Sequence, residues 1–225
     1  MKRFWIASFP RSGNTLMRLL LEHHLHIETI SDKDQPGIMD KGVIAARKGR
    51  VFDPHGIKGV KTHAAIPPGK EKLPAILIVR HPMDVLVSYA HFLSGDGTPD
   101  FARAMRELDK WSSFYEQWLR FPAEHFASDS QPRPTVVYKY EKLVRQKQDG
   151  DLAAIGLACD LMGILRMDIE IKNYENLEVF DELHAEHPRG FRKGEVGSWR
   201  DELPITYQRE VTNRHRRMME RLGYV

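Results

Sequence analysis

With 225 residues, 41% of them hydrophobic and 29% charged, the chain has the size and balance of one soluble domain that buries a core without disulfide or metal staples. Its 34 basic and 31 acidic residues leave a net charge of only +3. So even a field favours anionic small molecules held in local pockets over a broad nucleic-acid surface.

The first element is the apolar run Phe4-Trp5-Ile6-Ala7, which reads as a buried strand. Pro10 and Arg11 end it too early for a signal-peptide core. After the turn Pro10-Arg11-Ser12-Gly13-Asn14-Thr15, Leu16 to Leu25 has helical spacing, with an apolar face of Leu16, Leu19, Leu20 and Leu25. His23, His24 and His26 follow on that helix. They fall short of the four convergent ligands that a structural metal needs, and no metal is expected. Residues 27–57 are polar and rich in Pro and Gly, an excursion of the kind that forms a substrate wall.

Gly59-Val60-Lys61-Thr62-His63 reads as a short strand ending in polar groups, and Ala75-Ile76-Leu77-Ile78-Val79 as a central parallel strand covered on both faces. That strand runs into Arg80-His81-Pro82, where Pro82 suits the first position of a helix continuing past Phe92. Residues 94–100 form a loop, a second candidate wall. Phe101 to Phe121 carries an aromatic stripe at helical spacing, read mostly as core. Thr135 to Tyr138 is a further strand, followed by Tyr140-Glu141-Lys142-Leu143. Leu152 to Leu165 is a helix in which Cys159 reads as a buried, inert thiol. Leu177 to Leu183 is a short helical stretch, Phe191 to Trp199 a basic, Gly-rich loop, and Ile205 to Leu222 the last helix. Its run Arg214-His215-Arg216-Arg217 lacks interleaved aromatics and reads as a solvated face, so no nucleic acid is expected. No segment has the length to span a bilayer, and a single cysteine fits a reducing, cytoplasmic setting. Strands alternating with helices predict an α/β fold around a parallel sheet.

In such a sheet the C-terminal ends of the strands line one edge, where ligands bind. Arg11, His63 and Arg80 all fall at such ends. The opening turn leads into a helix N-terminus, whose unpaired N–H groups and positive dipole end suit an anion. Arg80, with Ser88 two helical turns on, and Arg192-Lys193-Gly194 supply groups for a second anion. A ligand with two separated phosphates is implied. The turn is not a regular P-loop, since G-x-x-x-x-G-K-[ST] would need a Lys before Ser or Thr. No strand ends in an aspartate placed for Mg²⁺, which counts against a kinase.

Together these segments carry a resemblance. Pro10 to Thr15 resembles the 5′-phosphosulfate loop of the sulfotransferases that use 3′-phosphoadenosine 5′-phosphosulfate (PAPS), and Lys61-Thr62-His63 their Lys-Thr-His segment. Arg80 to Tyr89 is similar to their 3′-phosphate strand–helix motif, Tyr140-Glu141 to their Tyr-Glu pair, and Phe191 to Trp199 to their C-terminal Arg-Lys-Gly loop. Each is short, but the five occur in the family's order from residue 4 to about residue 200.

The resemblance implies a P-loop-like three-layer α/β fold in which helices flank a central parallel sheet, a single domain over 1–225, PAPS as donor, 3′-phosphoadenosine 5′-phosphate (PAP) as product, and no metal. It places the backbone of Ser12, Gly13, Asn14 and Thr15 around the 5′-phosphosulfate, with Arg11 and Lys61 at the transferring group. Arg80, Ser88, Arg192, Lys193 and Gly194 would hold the 3′-phosphate. Tyr140 would lie by the adenine and Phe180 would stack on it, and His63 would be the general base for a small-molecule or glycan-type hydroxyl. Arg11 stands where cytosolic members have Lys, and Leu16 where many have Trp. The alternatives are a small-molecule kinase and a nucleotide-binding module without catalysis.

Overall fold

The computed structural model describes residues 2–31, 56–70, 72–95, 97–120, 133–146, 148–177 and 194–225. Strand β1 (Lys2–Ser8) is buried from Phe4 onward. Its alternating side chains serve two cores, Phe4 and Ile6 on one face of the sheet, Trp5 and Ala7 on the other. This two-sided burial explains its continuous apolar run, and it places β1 at the centre. It pairs in parallel with β3 (Ile57–Thr62) and β4 (Ala75–Val79). Outside these lie β2 (Glu28–Ser31) against β3 and β5 (Thr135–Lys139) against β4, giving the all-parallel order β2-β3-β1-β4-β5.

Helices cover both faces. On the Phe4–Ile6 side pack α1 (Asn14–Leu25), α5 (Tyr140–Gln146) and α6 (Gly150–Leu165). The Trp5–Ala7 side receives α2 (Pro82–Ser94), α3 (Phe101–Leu108), α4 (Trp111–Arg120) and α8 (Ile205–Arg221), with the short α7 (Trp199–Glu202) beside α2. The result is the expected three-layer α/β fold. No helix among the described residues is long and apolar enough to cross a membrane.

Three expectations need correction. Strand β2 lies inside the stretch read as an irregular excursion. It is a four-residue edge strand with one aliphatic residue, Ile30, and its buried Thr29 takes a 2.9 Å hydrogen bond from Arg18 Nε, so it shows little apolar signal. The helix expected over Phe101–Phe121 is two helices broken at Asp109-Lys110. Its apolar period continues across the break, which hid it. Cys159 is exposed, because α6 buries the stripe Ala153, Ala154, Leu157, Ala158 and Leu161, and Cys159 lies off it. The histidines of α1 do structural work. His24 Nδ1 and His23 Nε2 each lie 2.9 Å from a backbone carbonyl, those of Asn173 and Glu175. The excursion's residues 32–55, residue 96 of the loop 94–100, and residues 178–183 of the short helical stretch lie outside the described residues.

Candidate active site

Strands β1, β3, β4 and β5 end along one edge, and each is followed at once by a residue already singled out. The turn 9–13 follows β1, His63 follows β3, Arg80 follows β4, and Tyr140 follows β5. Parallel pairing alone brings these four points together.

The turn after β1 is built from its own backbone. Ser12 N–H donates to the Phe9 carbonyl at 3.2 Å, and Arg11 and Gly13 adopt left-handed φ angles of 67° and 97°. Asn14 opens α1 and its Nδ2 donates to the Ile6 carbonyl at 2.8 Å and to Ser8 Oγ at 3.2 Å, so the helix start is clamped to the strand before it. The first N–H groups of α1 have no partner within the helix, and its first turn carries no acidic residue. Thr15 follows within that turn. Gly13 is required twice over, by its φ and because a Cβ there would stand 2.4 Å from Tyr140 Cδ2.

Arg80 ties this turn to the rest of the edge. It is 7% exposed, its Nη1 donates to the Arg11 carbonyl at 2.9 Å and its Nη2 to the Glu195 carbonyl at 3.2 Å. Its guanidinium lies 4.2 Å from the Tyr140 ring centroid. Arg11 Nε donates to Ser88 Oγ at 3.2 Å, and the Arg11 guanidinium stacks 4.8 Å over the Phe92 ring. Arg11, Gly13, Arg80, Ser88 and Tyr140, scattered over 130 residues, thus form one connected cluster. Gly194, at φ 65°, opens the loop that meets Arg80 through Glu195. Phe180, Arg192 and Lys193 lie outside the described residues.

On the other side of β1, His63 is exposed, and its Nδ1 lies 2.7 Å from the Ser8 carbonyl and 3.3 Å from Ser8 Oγ. A carbonyl only accepts, so Nδ1 carries a proton, and in the neutral form of that tautomer Nε2 is the basic nitrogen. Lys61, half-buried, is the next-to-last residue of β3 and sits in register with Ile6.

Supporting groups escaped the sequence reading. The Tyr115 hydroxyl, in the aromatic stripe taken as core, donates to the Ile78 carbonyl at 2.9 Å and lies 3.3 Å from Ser12 Oγ. The Ser12 side chain is therefore turned inward, and its contribution to the edge is backbone. Glu141 accepts from His81 N at 3.0 Å and from the Tyr224 hydroxyl at 3.2 Å, joining α5 to the start of α2 and to Tyr224. Tyr115 has no distinctive sequence neighbour, whereas Glu141 lay within a motif already noted.

Burial shapes the acid–base behaviour around the site. His81 stacks on Trp199 at 5.2 Å between ring centroids. Desolvation lowers its pKa from 6.5 to about 4, against an opposing pull from Asp84. His215, buried against Trp111, is lowered to about 4 for the same leading reason. Between pH 6.5 and about 4 the unfolded chain takes up protons at both rings and the folded chain does not, so stability falls as pH drops through that window. His81→Asn keeps a capping acceptor at the start of α2 and should flatten this slope by up to one proton. Denaturant unfolding at several pH values between those limits checks it, and equal slopes in variant and parent would refute it.

One edge of the parallel sheet thus carries the left-handed turn and helix start after β1, and the buried Arg80 after β4. The family model of the sulfotransferase domain matches residues 1–149, and the chain belongs to that family. Its fold is similar to the crystal structure of mouse sulfotransferase SULT7A1 complexed with PAP, at TM-score 0.63 and 17% identity over 99% of this chain and 88% of that one. It is also similar to retinol dehydratase in complex with androsterone and inactive cofactor PAP, at TM-score 0.58 and 14% identity over 97% of this chain and 81% of that one. The same enzyme with retinol and PAP gives TM-score 0.56 at 14% identity, over 97% and 82% of the two chains. Among curated proteins, none matches the sequence.

Proposed function

We propose that this chain, as a single domain over 1–225, transfers the sulfuryl group of PAPS to the hydroxyl of a small-molecule acceptor, with His63 as general base. The observation that carries the reading is the pairing of His63 Nδ1 with the Ser8 carbonyl. It gives a base of fixed tautomer at the end of β3, tied to Ser8, the last residue of the strand before the turn 9–13.

In the reaction the acceptor O–H gives its proton to His63 Nε2 while its oxygen forms a bond to sulfur. The bond from sulfur to the bridging oxygen of the 5′-phosphate breaks, and its electron pair stays on that oxygen, releasing PAP. Negative charge grows on the leaving phosphate. The N–H groups at the start of α1, Arg11 and Lys61 are the cationic and dipolar groups available to meet it. Arg11 keeps its proton throughout, so it acts as a fixed charge.

The fit of the nucleotide rests on the Gly13–Tyr140 approach, which leaves no room for a side chain in the cradle, and on the Arg80–Tyr140 stack behind it. Tyr140 is assigned to the adenine, with Phe180 as its proposed partner. Arg80, Ser88, Gly194 and the Arg192-Lys193 pair preceding it are assigned to the 3′-phosphate. The neighbours that hold androsterone and retinol make an apolar alcohol the first candidate acceptor and a glycan the second. One cysteine in 225 residues fits a cytoplasmic enzyme.

Calorimetric titration tests the donor. PAP should bind at least tenfold more tightly than ADP, without added metal. Equal binding, or Mg²⁺-dependent ATP turnover, would replace this reading with a kinase. Incubation with labelled PAPS and a panel of alcohols, phenols and sugars identifies the acceptor. PAP binding with no transfer to any of them would leave a nucleotide-binding module.

A further inference from the structure

We infer that Tyr115 is a positioning residue for the 5′ half of the site, its hydroxyl gripping the turn 9–13 at Ser12. The inference rests on the sulfotransferase reading above. Tyr115 and Ser12 are both 0% exposed. The phenol oxygen lies 2.9 Å from the Ile78 carbonyl and 3.3 Å from Ser12 Oγ. A phenol has one proton and a carbonyl only accepts, so that proton goes to Ile78. The Ser12 hydroxyl therefore donates to the phenol oxygen and has no proton left for a bound anion. Burial raises the Tyr115 pKa above its usual value, and the bond from Ser12 opposes this, as a donor to that oxygen should.

The contact has leverage because of what lies on each side of it. Ser12 stands between two residues in left-handed backbone, Arg11 at φ 67° and Gly13 at φ 97°. At Arg11 such backbone persists only where its surroundings over-determine it, and Gly13 is free to leave it. Tyr115, by contrast, is locked. Its ring packs edge-on against Trp111 and Phe114, each at 5.1 Å between centroids. Phe114 in turn meets Phe9, where the turn begins, at 6.0 Å. Helices α4 and α1 cover opposite faces of the sheet. Tyr115 thus ties the turn that opens α1 to the other layer of the fold.

The consequence falls on the 5′-phosphate. The groups assigned to it are the backbone N–H groups of Ser12 to Thr15, and their directions follow the backbone that Ser12 anchors. Without the phenol hydroxyl the turn populates arrangements in which those N–H groups diverge. Apparent affinity for a 5′-phosphate then falls by the fraction of molecules still competent. Arg80 and Ser88, assigned to the 3′-phosphate, are carried by the β4–α2 junction and by α2, which stay in place.

The test compares PAP with adenosine 3′-phosphate, which lacks the 5′-phosphate, by calorimetry on the wild-type chain, Tyr115→Phe, Ser12→Ala and the double variant. Tyr115→Phe keeps the ring and removes one oxygen. It should weaken PAP by about fivefold and adenosine 3′-phosphate by less than about twofold, shrinking the preference between them. Ser12→Ala should lose the same preference, and the double variant no more than either, because one interaction is removed in all three. In turnover, KM for PAPS should rise in step with kcat nearly constant. An unchanged preference in Tyr115→Phe overturns the inference, whether both ligands weaken together or neither does. Losses that add in the double variant overturn it too, since Ser12 and Tyr115 would then act separately. Failure of Tyr115→Phe to fold does the same, because the hydroxyl would then be a general core requirement. If the wild-type chain does not distinguish PAP from adenosine 3′-phosphate, the functional reading itself falls.

Discussion

His63→Ala should lower kcat by about 10²–10⁴-fold and leave the affinity for PAP within about twofold. The size follows from the loss of the only proton acceptor assigned to the acceptor hydroxyl. The selectivity follows from where the imidazole is attached. Its Nδ1 engages the Ser8 carbonyl and hydroxyl, and Asn14 Nδ2 still holds Ser8 and Ile6 without it. The cradle should therefore survive the substitution. Steady-state turnover with saturating PAPS, set beside calorimetric PAP binding, separates the two effects. Loss of both together would show that His63 holds the turn in shape and would remove it as the base.

Gly13→Ala is the second large effect, and it acts on binding and stability at once. An alanine at φ 97° costs about 1 kcal/mol through its Cβ. The new Cβ would also stand 2.4 Å from Tyr140 Cδ2. Tyr140 is 6% exposed and lies beneath the Arg80 guanidinium, so it cannot swing aside without disturbing that stack. Overpacking of this kind adds about 1–3 kcal/mol. We expect the unfolding free energy to drop by about 2–4 kcal/mol and PAP affinity to fall more than tenfold. Denaturant unfolding and calorimetry measure these separately. A variant as stable as the parent would mean that the turn and Tyr140 are not in contact in solution.

The parts of the molecule that could be read from sequence are those whose signal is local. β1 and β4 are continuous apolar runs because both faces of the sheet are covered, and an arginine stands soon after each, Arg11 and Arg80. Pro82 marked the start of α2 for a backbone reason. What stayed hidden depends on partners far along the chain. Tyr115 looks like any other aromatic of its stripe until its hydroxyl meets Ile78 and Ser12, 37 and 103 residues away. Asp84 looks like a favourable first-turn acid until the loop more than 110 residues later folds onto it. β2 was missed because an edge strand needs few aliphatic side chains. Cys159 was misplaced because an apolar run does not say which of its faces is covered.

The left-handed backbone at Arg11 bears on how the chain balances durability against activity. A residue with a side chain gives up on the order of 1 kcal/mol to sit at φ 67°, and glycine would occupy that position at no such cost. The protein instead carries an arginine there, anchored on Ser88 and Phe92. The turn is thus not the sturdiest that this backbone allows. On the role proposed for Arg11, a stabilising Arg11→Gly substitution should therefore come with slower turnover.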